Sequence, residues 1–311
     1  MKYNSPNALC EAKIITRRSF IKSSLVLSFA GGYALKNIGC SGIKGVRFGL
    51  LADPHYADRD PANERHYRDS LAKLQECVEV MNDEKVDFLI EMGDFKDQDA
   101  EPVEENTLGY LKTIESCFHK FTGPRYHVLG NHDMDSLSKQ QVLQQIENSG
   151  ISNSRAYYSY ESGGFHFVVL DANFTRENRD YDHGNFDWTD ANIPSVEMQW
   201  LTEDLSRTAR PVVVFVHQLL DGQGEHYIRN AAEVRAILQK SENTFAVFQG
   251  HYHQGQYSKI AGIHYITLAA MVTGAGPENN RYYIVEISPE LEINITGYRK
   301  GNSMQLVAKK V

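Results

Sequence analysis

The chain of 311 residues is poor in cysteine, proline and tryptophan, with 4, 9 and 2 copies. So few cysteines exclude a disulfide-built scaffold. The spacing of Cys77 and Cys117 suits neither a zinc knot nor a redox pair, and Cys77 falls in an amphipathic pattern as a small core residue. Positive charge is also short: 32 Lys and Arg stand against 40 Asp and Glu, a formal net charge of −8. That balance argues against nucleic acid as a stable partner. It leaves an anionic small substrate open, because a bound cation reverses the field locally. No apolar run is long enough to span a bilayer. No Gly-x-Ser-x-Gly elbow offers a serine nucleophile. Internal repeats and low-complexity linkers are lacking too.

The first 43 residues read as a signal peptide and linker, with one domain expected over 44–311. Arg17 and Arg18 precede Phe20, Lys22 and a weakly apolar run from Ser24 to Leu35, too short for an anchor helix. The string resembles a bacterial twin-arginine export signal. Cys40, after Asn37-Ile38-Gly39, loosely resembles a lipoprotein cleavage site, although Asn37 stands where an aliphatic residue is usual. The expectation is an exported protein, periplasmic or anchored to the membrane by a lipid on Cys40; the alternative for Cys40 is a residue in a linker.

Beyond Lys44, apolar runs rich in β-branched and aromatic residues recur: VRFGLLA, DFLIEM, RYHVLG, FHFVVLDA, PVVVFVH, TFAVFQG, HYITLAA, YYIVEI and LEINITGY. Bounded by turn residues, they read as strands buried on both faces. Helical patterns lie between the early ones. In ERHYRDSLAKLQECVEVMN, Tyr67, Leu71, Leu74, Val78 and Met81 make one apolar face, and SVEMQWLTEDLSR puts Met198, Leu201 and Leu205 on one stripe. TLGYLKTIESCF and KQQVLQQIEN are weaker. Helices between early strands, followed by strands alone, imply an α/β (α+β) chain with two packed mixed β-sheets flanked by helices.

The polar residues cluster where these strands end. The first run ends in Asp53 and His55, the second in Asp94 and Asp97, and the third in Asn131, His132 and Asp133. Two later runs end in His217 and in His251 with His253. Ligands bind beyond the carboxyl ends of strands in open α/β sheets. Carboxylate and amide oxygens with imidazole nitrogens, and no sulfur, suit Mn, Fe or Zn. Asp53/His55 and His251/His253 are spaced i, i+2, so in extended backbone each pair points to one side. Any one cluster could be a turn, since Asn and Asp serve turns for backbone reasons. Five at strand ends of one domain point to a metal centre. His119, His127, His166 and His264 lie apart from these clusters and are set aside.

In order, DPH, GDFKD, GNHD, VH and GHYH resemble the calcineurin-like metallophosphoesterases, from about Val46 to His253. The resemblance implies a four-layer αββα sandwich and two divalent metal ions. Asp53, His55 and His253 would hold one metal; Asn131, His217 and His251 would hold the other, and Asp94 would bridge. His132 would serve the leaving group, with Asp97 holding its tautomer, and Asp133 would cap the turn or support its neighbours. Two such cations would ready a water for in-line attack on phosphorus. RHYRDSLAKLQECVEVMN and GNFDWTDANIPSVEMQWLTEDL further resemble the manganese-dependent ADP-ribose/CDP-alcohol diphosphatases, whereas VHQLL departs from the usual His-x-Pro. The implied substrate is a small phosphodiester or pyrophosphate, with manganese favoured. The alternatives are a broad phosphomonoesterase and a non-catalytic binding protein on the same scaffold. Arg65, His66 and Arg68 could contact a second phosphate or form a solvated helix face. Tyr157, Tyr158, Phe174, Phe186 and Trp188 could stack on a base or pack in core and rim.

Overall fold

A computed structural model describes residues 43–307. The expectations for Cys10, Arg17, Arg18 and Cys40 lie outside the described residues. In chain order the elements are β1 (Val46–Leu51), α1 (Asp69–Glu84), β2 (Phe88–Glu91), α2 (Glu104–Phe118), β3 (Arg125–His127), α3 (Lys139–Gln145), β4 (Tyr158–Ser162), β5 (Phe165–Val169), α4 (Ser195–Arg207), β6 (Val212–Val216), α5 (Ala231–Lys240), β7 (Thr244–Gln249), β8 (Gln256–Ile260), β9 (Ile263–Thr267), β10 (Arg281–Ile287), β11 (Glu292–Arg299) and β12 (Met304–Val307). They build two six-stranded sheets, in the order β12-β11-β10-β1-β2-β3 and β4-β5-β6-β7-β9-β8. Both are mixed: β1, β2 and β3 run parallel beside antiparallel β10, and β5, β6, β7 and β9 run parallel between antiparallel β4 and β8.

The period-2 alternation of β1 explains the layering. Phe48 and Leu50 point into the space between the sheets, while Leu51 faces the helices. Between the sheets Phe48 stacks on Phe88 with centroids 4.8 Å apart and meets Phe215 and Phe248 edge-on. Outside the first sheet, Leu74, Val78 and Met81 of α1 pack with Ile114 and Phe118 of α2. Outside the second, Leu201 and Leu205 of α4 pack with Val234 and Leu238 of α5 over Val168, Val214 and Val247. The result is the expected αββα sandwich. Cys77 and Cys117 are buried and free.

Two features of the α1 region differ from the sequence reading. The helix begins at Asp69, not near Glu64, because Ala62–Arg65 and Arg65–Thr273 bridges tie the preceding stretch into a loop. Tyr67 accordingly packs against Ala57, Ala270 and Val272 instead of extending the helical stripe. Helix α5 and strands β4, β8 and β12 add to the elements expected from the sequence.

Candidate metal centre

Loops after β1, β2, β3, β6 and β7 meet at one edge of the sandwich. Asp53 and His55 follow β1, where Asp53 N donates to Gly93 O at 3.1 Å and His55 N donates to Asp94 O at 2.8 Å. The loops after β1 and β2 therefore continue to hold each other past the sheet. The expected reason for the convergence of each i, i+2 pair was extended backbone, and this is corrected. Asp53, His55, Asp94 and His251 have φ of 54°, 47°, 54° and 66°, in the left-handed region that few non-glycine residues adopt. Tight left-handed turns aim these side chains, and the strain is concentrated where the donors meet.

Asp53, His55 and His253 bring one donor atom each into a common group, and Asp94, His217 and His251 make a second. His55 Nε2 and His253 Nε2 lie 3.1 Å apart, and Asp53 Oδ1 is 3.6 Å from His253 Nε2. Asp94 Oδ2 faces both groups, 3.5 Å from His55 Nε2 and 3.1 Å from His217 Nε2. Asn131 is buried beside the second group.

The chemistry of these atoms tests whether cations fit. Asn131 Oδ1, His217 Nε2 and His251 Nε2 are buried without a hydrogen-bond partner. A buried polar atom left this way is costly unless something else meets it. His217 donates from Nδ1 to Met92 O at 2.7 Å and His55 Nδ1 pairs with Asp97 Oδ2 at 3.2 Å, which leaves each Nε2 pointing inward. Burial keeps three imidazoles neutral: His55 falls to about 4, His253 to about 2, and His251 well below its ordinary value. Burial raises Asp53 to about 7. Burial opposes charge on His217 too, but Asp94 outweighs it and holds His217 up at about 10. The pocket thus offers three neutral imidazoles and two buried carboxylates, with His217 held against Asp94 and no lysine or arginine among the donors. Two divalent cations fit this arrangement.

Three further expected residues sit beside the donors. His132, about a quarter exposed, lies with its ring 4.7 Å from that of His55. Its Nδ1 pairs with Asp135 Oδ2 at 2.7 Å, whereas Asp97 Oδ2 is 3.9 Å away. Asp97 Oδ2 thus reaches both histidines, nearer to His55 Nδ1 at 3.2 Å, and Asp135 is an additional partner of His132. Asp135 was missed in the sequence; its spacing of three from His132 in a one-turn helix (Asn131–Met134) was the available signal. Asp133 accepts from the N–H groups of Gly130, Asp94 and Phe95, at 2.8, 3.2 and 2.9 Å, and so locks the turns after β2 and β3 together. Asn173, also missed, donates to Leu129 O and accepts from Gln218 Nε2, each at 2.7 Å, which fixes the chain on either side of Asn131 and His217.

A cleft of about 530 Å³ opens over the donors and is lined by Arg65, His132, Trp188, His226, Tyr252 and Gln254. Trp188 lies 5.2 Å from His226 and 5.7 Å from His251, and His226 lies 5.1 Å from Tyr252. Of the basic candidates, Arg65 faces the site, 3.5 Å from His132 Nε2, while Arg68 pairs with Asp58 and Asp60 outside it. Of the aromatic candidates only Trp188 lines the cleft. Tyr157 packs on Trp200, Tyr158 donates to His127 O in the core, Phe174 lies under Lys139, and Phe186 stacks on Tyr181.

Comparison with known proteins agrees with this geometry. The calcineurin-like phosphoesterase family model matches residues 46–255, more than half of the chain. Two curated relatives are manganese-dependent ADP-ribose/CDP-alcohol diphosphatases. That of Oryza sativa subsp. japonica is 26% identical over 295 residues, covering 78% of this chain and 88% of the relative. That of Arabidopsis thaliana is 26% identical over 275 residues, covering 72% and 85%. Among solved structures, a dimetal phosphatase from Danio rerio shares the fold with a TM-score of 0.71 at 19% identity, over 86% of this chain and all of that one. The match to the family and the paired donor groups lead to one conclusion: this chain belongs to the calcineurin-like phosphoesterases and is a metal-dependent phosphoester hydrolase that uses two divalent cations.

Proposed function

We propose that the protein hydrolyses the pyrophosphate or phosphodiester bond of small nucleotide-linked substrates of the ADP-ribose and CDP-alcohol kind, with manganese in both metal positions. The observation that carries this reading is the juxtaposition of a carboxylate that faces both donor groups, Asp94, with an open cleft bearing one arginine and an aromatic group. The relatives in rice and Arabidopsis that carry this activity in their names match this chain over most of their length. When bound, the cations neutralise phosphoryl oxygens and lower the pKa of water.

The chain's own residues account for the rest. Asp94 Oδ1 accepts from His132 N at 2.8 Å, so the carboxylate that would bridge the cations also fixes the start of the helical turn that carries His132. His132 Nε2 faces the cleft and can give a proton to the leaving oxygen. Arg65, on the same wall, is placed for a second phosphate, and Trp188, His226 and Tyr252 offer ring faces to a base. Export by a twin-arginine route, with or without a lipid on Cys40, is part of the proposal and rests on the amino-terminal sequence. Cell fractionation of the full chain and of Arg17→Lys/Arg18→Lys tests it; equal distribution of the two would refute it.

A panel of ADP-ribose, CDP-choline, cyclic nucleotides and simple monoesters, run with Mn²⁺, tests the substrate class. ADP-ribose and CDP-choline should give the highest kcat/KM. Fastest turnover of monoesters would replace the reading with a phosphomonoesterase.

A further inference from the structure

A sixth strand end carries polar residues, and these hold donor loops instead of offering donors. The run FHFVVLDAN leaves β5 with Asp171 and Asn173, both buried. Asp171 Oδ2 accepts from Lys139 Nζ at 2.7 Å, and Oδ1 accepts from Asn173 N and Nδ2 at 3.0 and 2.9 Å. Asn173 Nδ2 also donates to Leu129 O at 2.7 Å. Two acceptors on one side fix the sense of the carboxamide, so Oδ1 faces the other way and accepts from Gln218 Nε2 at 2.7 Å. Lys139 Nζ donates to Asn173 O at 3.0 Å and Asp171 N donates to Glu197 Oε1 at 2.8 Å, which anchors the pair from behind. Leu129 stands two residues before Asn131, and Gln218 follows His217. Asn131 and His217 come from loops of different sheets, so the chain Leu129–Asn173–Gln218 sets the span between them. The group of Asp53, His55 and His253 is held by other bonds, from Asp53 N to Gly93 O, His55 N to Asp94 O and Ala270 N to His253 O.

We propose that Asn173, acting with Gln218, is a positioning residue for one cation position only, that of Asn131, His217 and His251, and that it thereby sets the manganese concentration at which the pair of cations is complete. The inference rests on the metal centre and is independent of which substrate the cleft takes. Asn173 is no ligand itself, because both ends of its carboxamide are occupied. Partners behind metal ligands contribute about 10–100-fold in metal affinity. Asn173→Asp keeps the shape and reverses the hydrogen-bonding sense, since a carboxylate would turn an acceptor toward Leu129 O and Asp171 Oδ1. Gln218→Met breaks the chain differently. Gln218 Oε1 is buried without a partner, so this variant removes one orphan oxygen and creates another at Asn173 Oδ1. Its fold stability should therefore stay near that of the wild type.

The test is a Mn²⁺ titration of the chelator-stripped full chain, read by calorimetry and by electron paramagnetic resonance. The wild type should take up two ions and end in the spectrum of a coupled pair. In both variants one ion should bind with wild-type affinity and the other ~10–100-fold more weakly. Between the two steps each variant should show the spectrum of an isolated ion, matching that of His217→Ala and not that of His55→Ala. The urea midpoint of Gln218→Met should hold, and that variant decides the matter if Asn173→Asp fails to fold. Three results would overturn the assignment: equal weakening of both ions, an isolated-ion spectrum matching His55→Ala, or a midpoint of Gln218→Met that falls together with its metal affinity. Variants that load two ions as the wild type does would defeat this inference and leave the metal centre standing. A wild-type chain that takes up no more than one ion would defeat both.

Discussion

Asp53 and His251, 198 positions apart, are clamped together: His251 N donates to Asp53 Oδ1 at 3.0 Å and lies 3.2 Å from Oδ2. The same carboxylate faces His253 and His217. Asp53 therefore joins the first and last donor loops as well as offering an oxygen to a cation. Asp53 and Asp94 are both essentially fully buried, and two buried carboxylates so close repel unless a cation separates them. Manganese should consequently stabilise the fold, by about 2.7 kcal/mol when present at a hundred times its Kd. Calorimetry across a manganese titration from chelator upward should show Tm rising with the logarithm of concentration. A Tm that stays flat would remove the cations from this site.

Gly130 has φ −99° and ψ 171°, a backbone that any residue adopts, so its reason is steric. A Cβ there would collide with Asp94 N and Oδ1. Gly130→Ala should push the Asp94 carboxylate away from both donor groups, cost about 1–3 kcal/mol as an overpacked position, and weaken both metals. Elemental analysis and a urea midpoint would check this. Full occupancy with a lowered midpoint would show that the clash is absorbed elsewhere.

The donors were legible in the sequence because five apolar strands end in Asp, His or Asn, and at Asp94, Asn131 and His251 a preceding glycine announces a sharp turn as well. The left-handed turns at Asp53, His55, Asp94 and His251 were not, since backbone sign follows from loop packing that no local pattern encodes. Asp135 was hidden for a related reason: its partner is chosen by one turn of helix, with Asp97 lying nearer to His55. Strands β4, β8 and β12 escaped because each is the edge of a sheet with partly exposed side chains, so none gives a continuous apolar run. Helix α5 buries only Ala231, Val234 and Leu238, a stripe too thin to stand out. His127 and His166, set aside as lacking polar company, have it. Glu91 and Glu115 flank the first and Asp204 the second through contacts distant in sequence, and Glu161 faces His166 across the β4–β5 hairpin.

Trp188 tests the nucleotide reading from the side of the cleft. It is 39% exposed, high for an indole, while lying against His226 and His251. Base stacking on one aromatic ring contributes about 1–3 kcal/mol. Trp188→Ala should therefore raise KM for ADP-ribose by ~10-fold or more, and raise KM for an aryl methyl phosphodiester far less. Equal increases for both substrates would mean that the ring shapes the cleft and does not read a base.

His127 gives a pH dependence separate from the metals. It is fully buried, with Nδ1 3.0 Å from Glu91 Oε1 and Nε2 3.2 Å from Glu115 Oε2. Burial opposes its charge, but Glu115 and Glu91 outweigh burial and hold it up at about 10, against an ordinary 6.5. A histidine raised on folding contributes stability that is present in full below pH 6.5 and is lost as pH climbs toward 10. The urea midpoint of the wild-type chain should fall over that window. His127→Phe should flatten this part of the profile. It should also cost about 3–5 kcal/mol near pH 7, because Glu91 and Glu115 are left buried without a cation. Glu91 Oε2 accepts from Gly93 N at 2.8 Å, one residue before Asp94, so the same variant should bind manganese more weakly. Parallel alkaline slopes in wild type and His127→Phe would show that His127 is neutral in the fold.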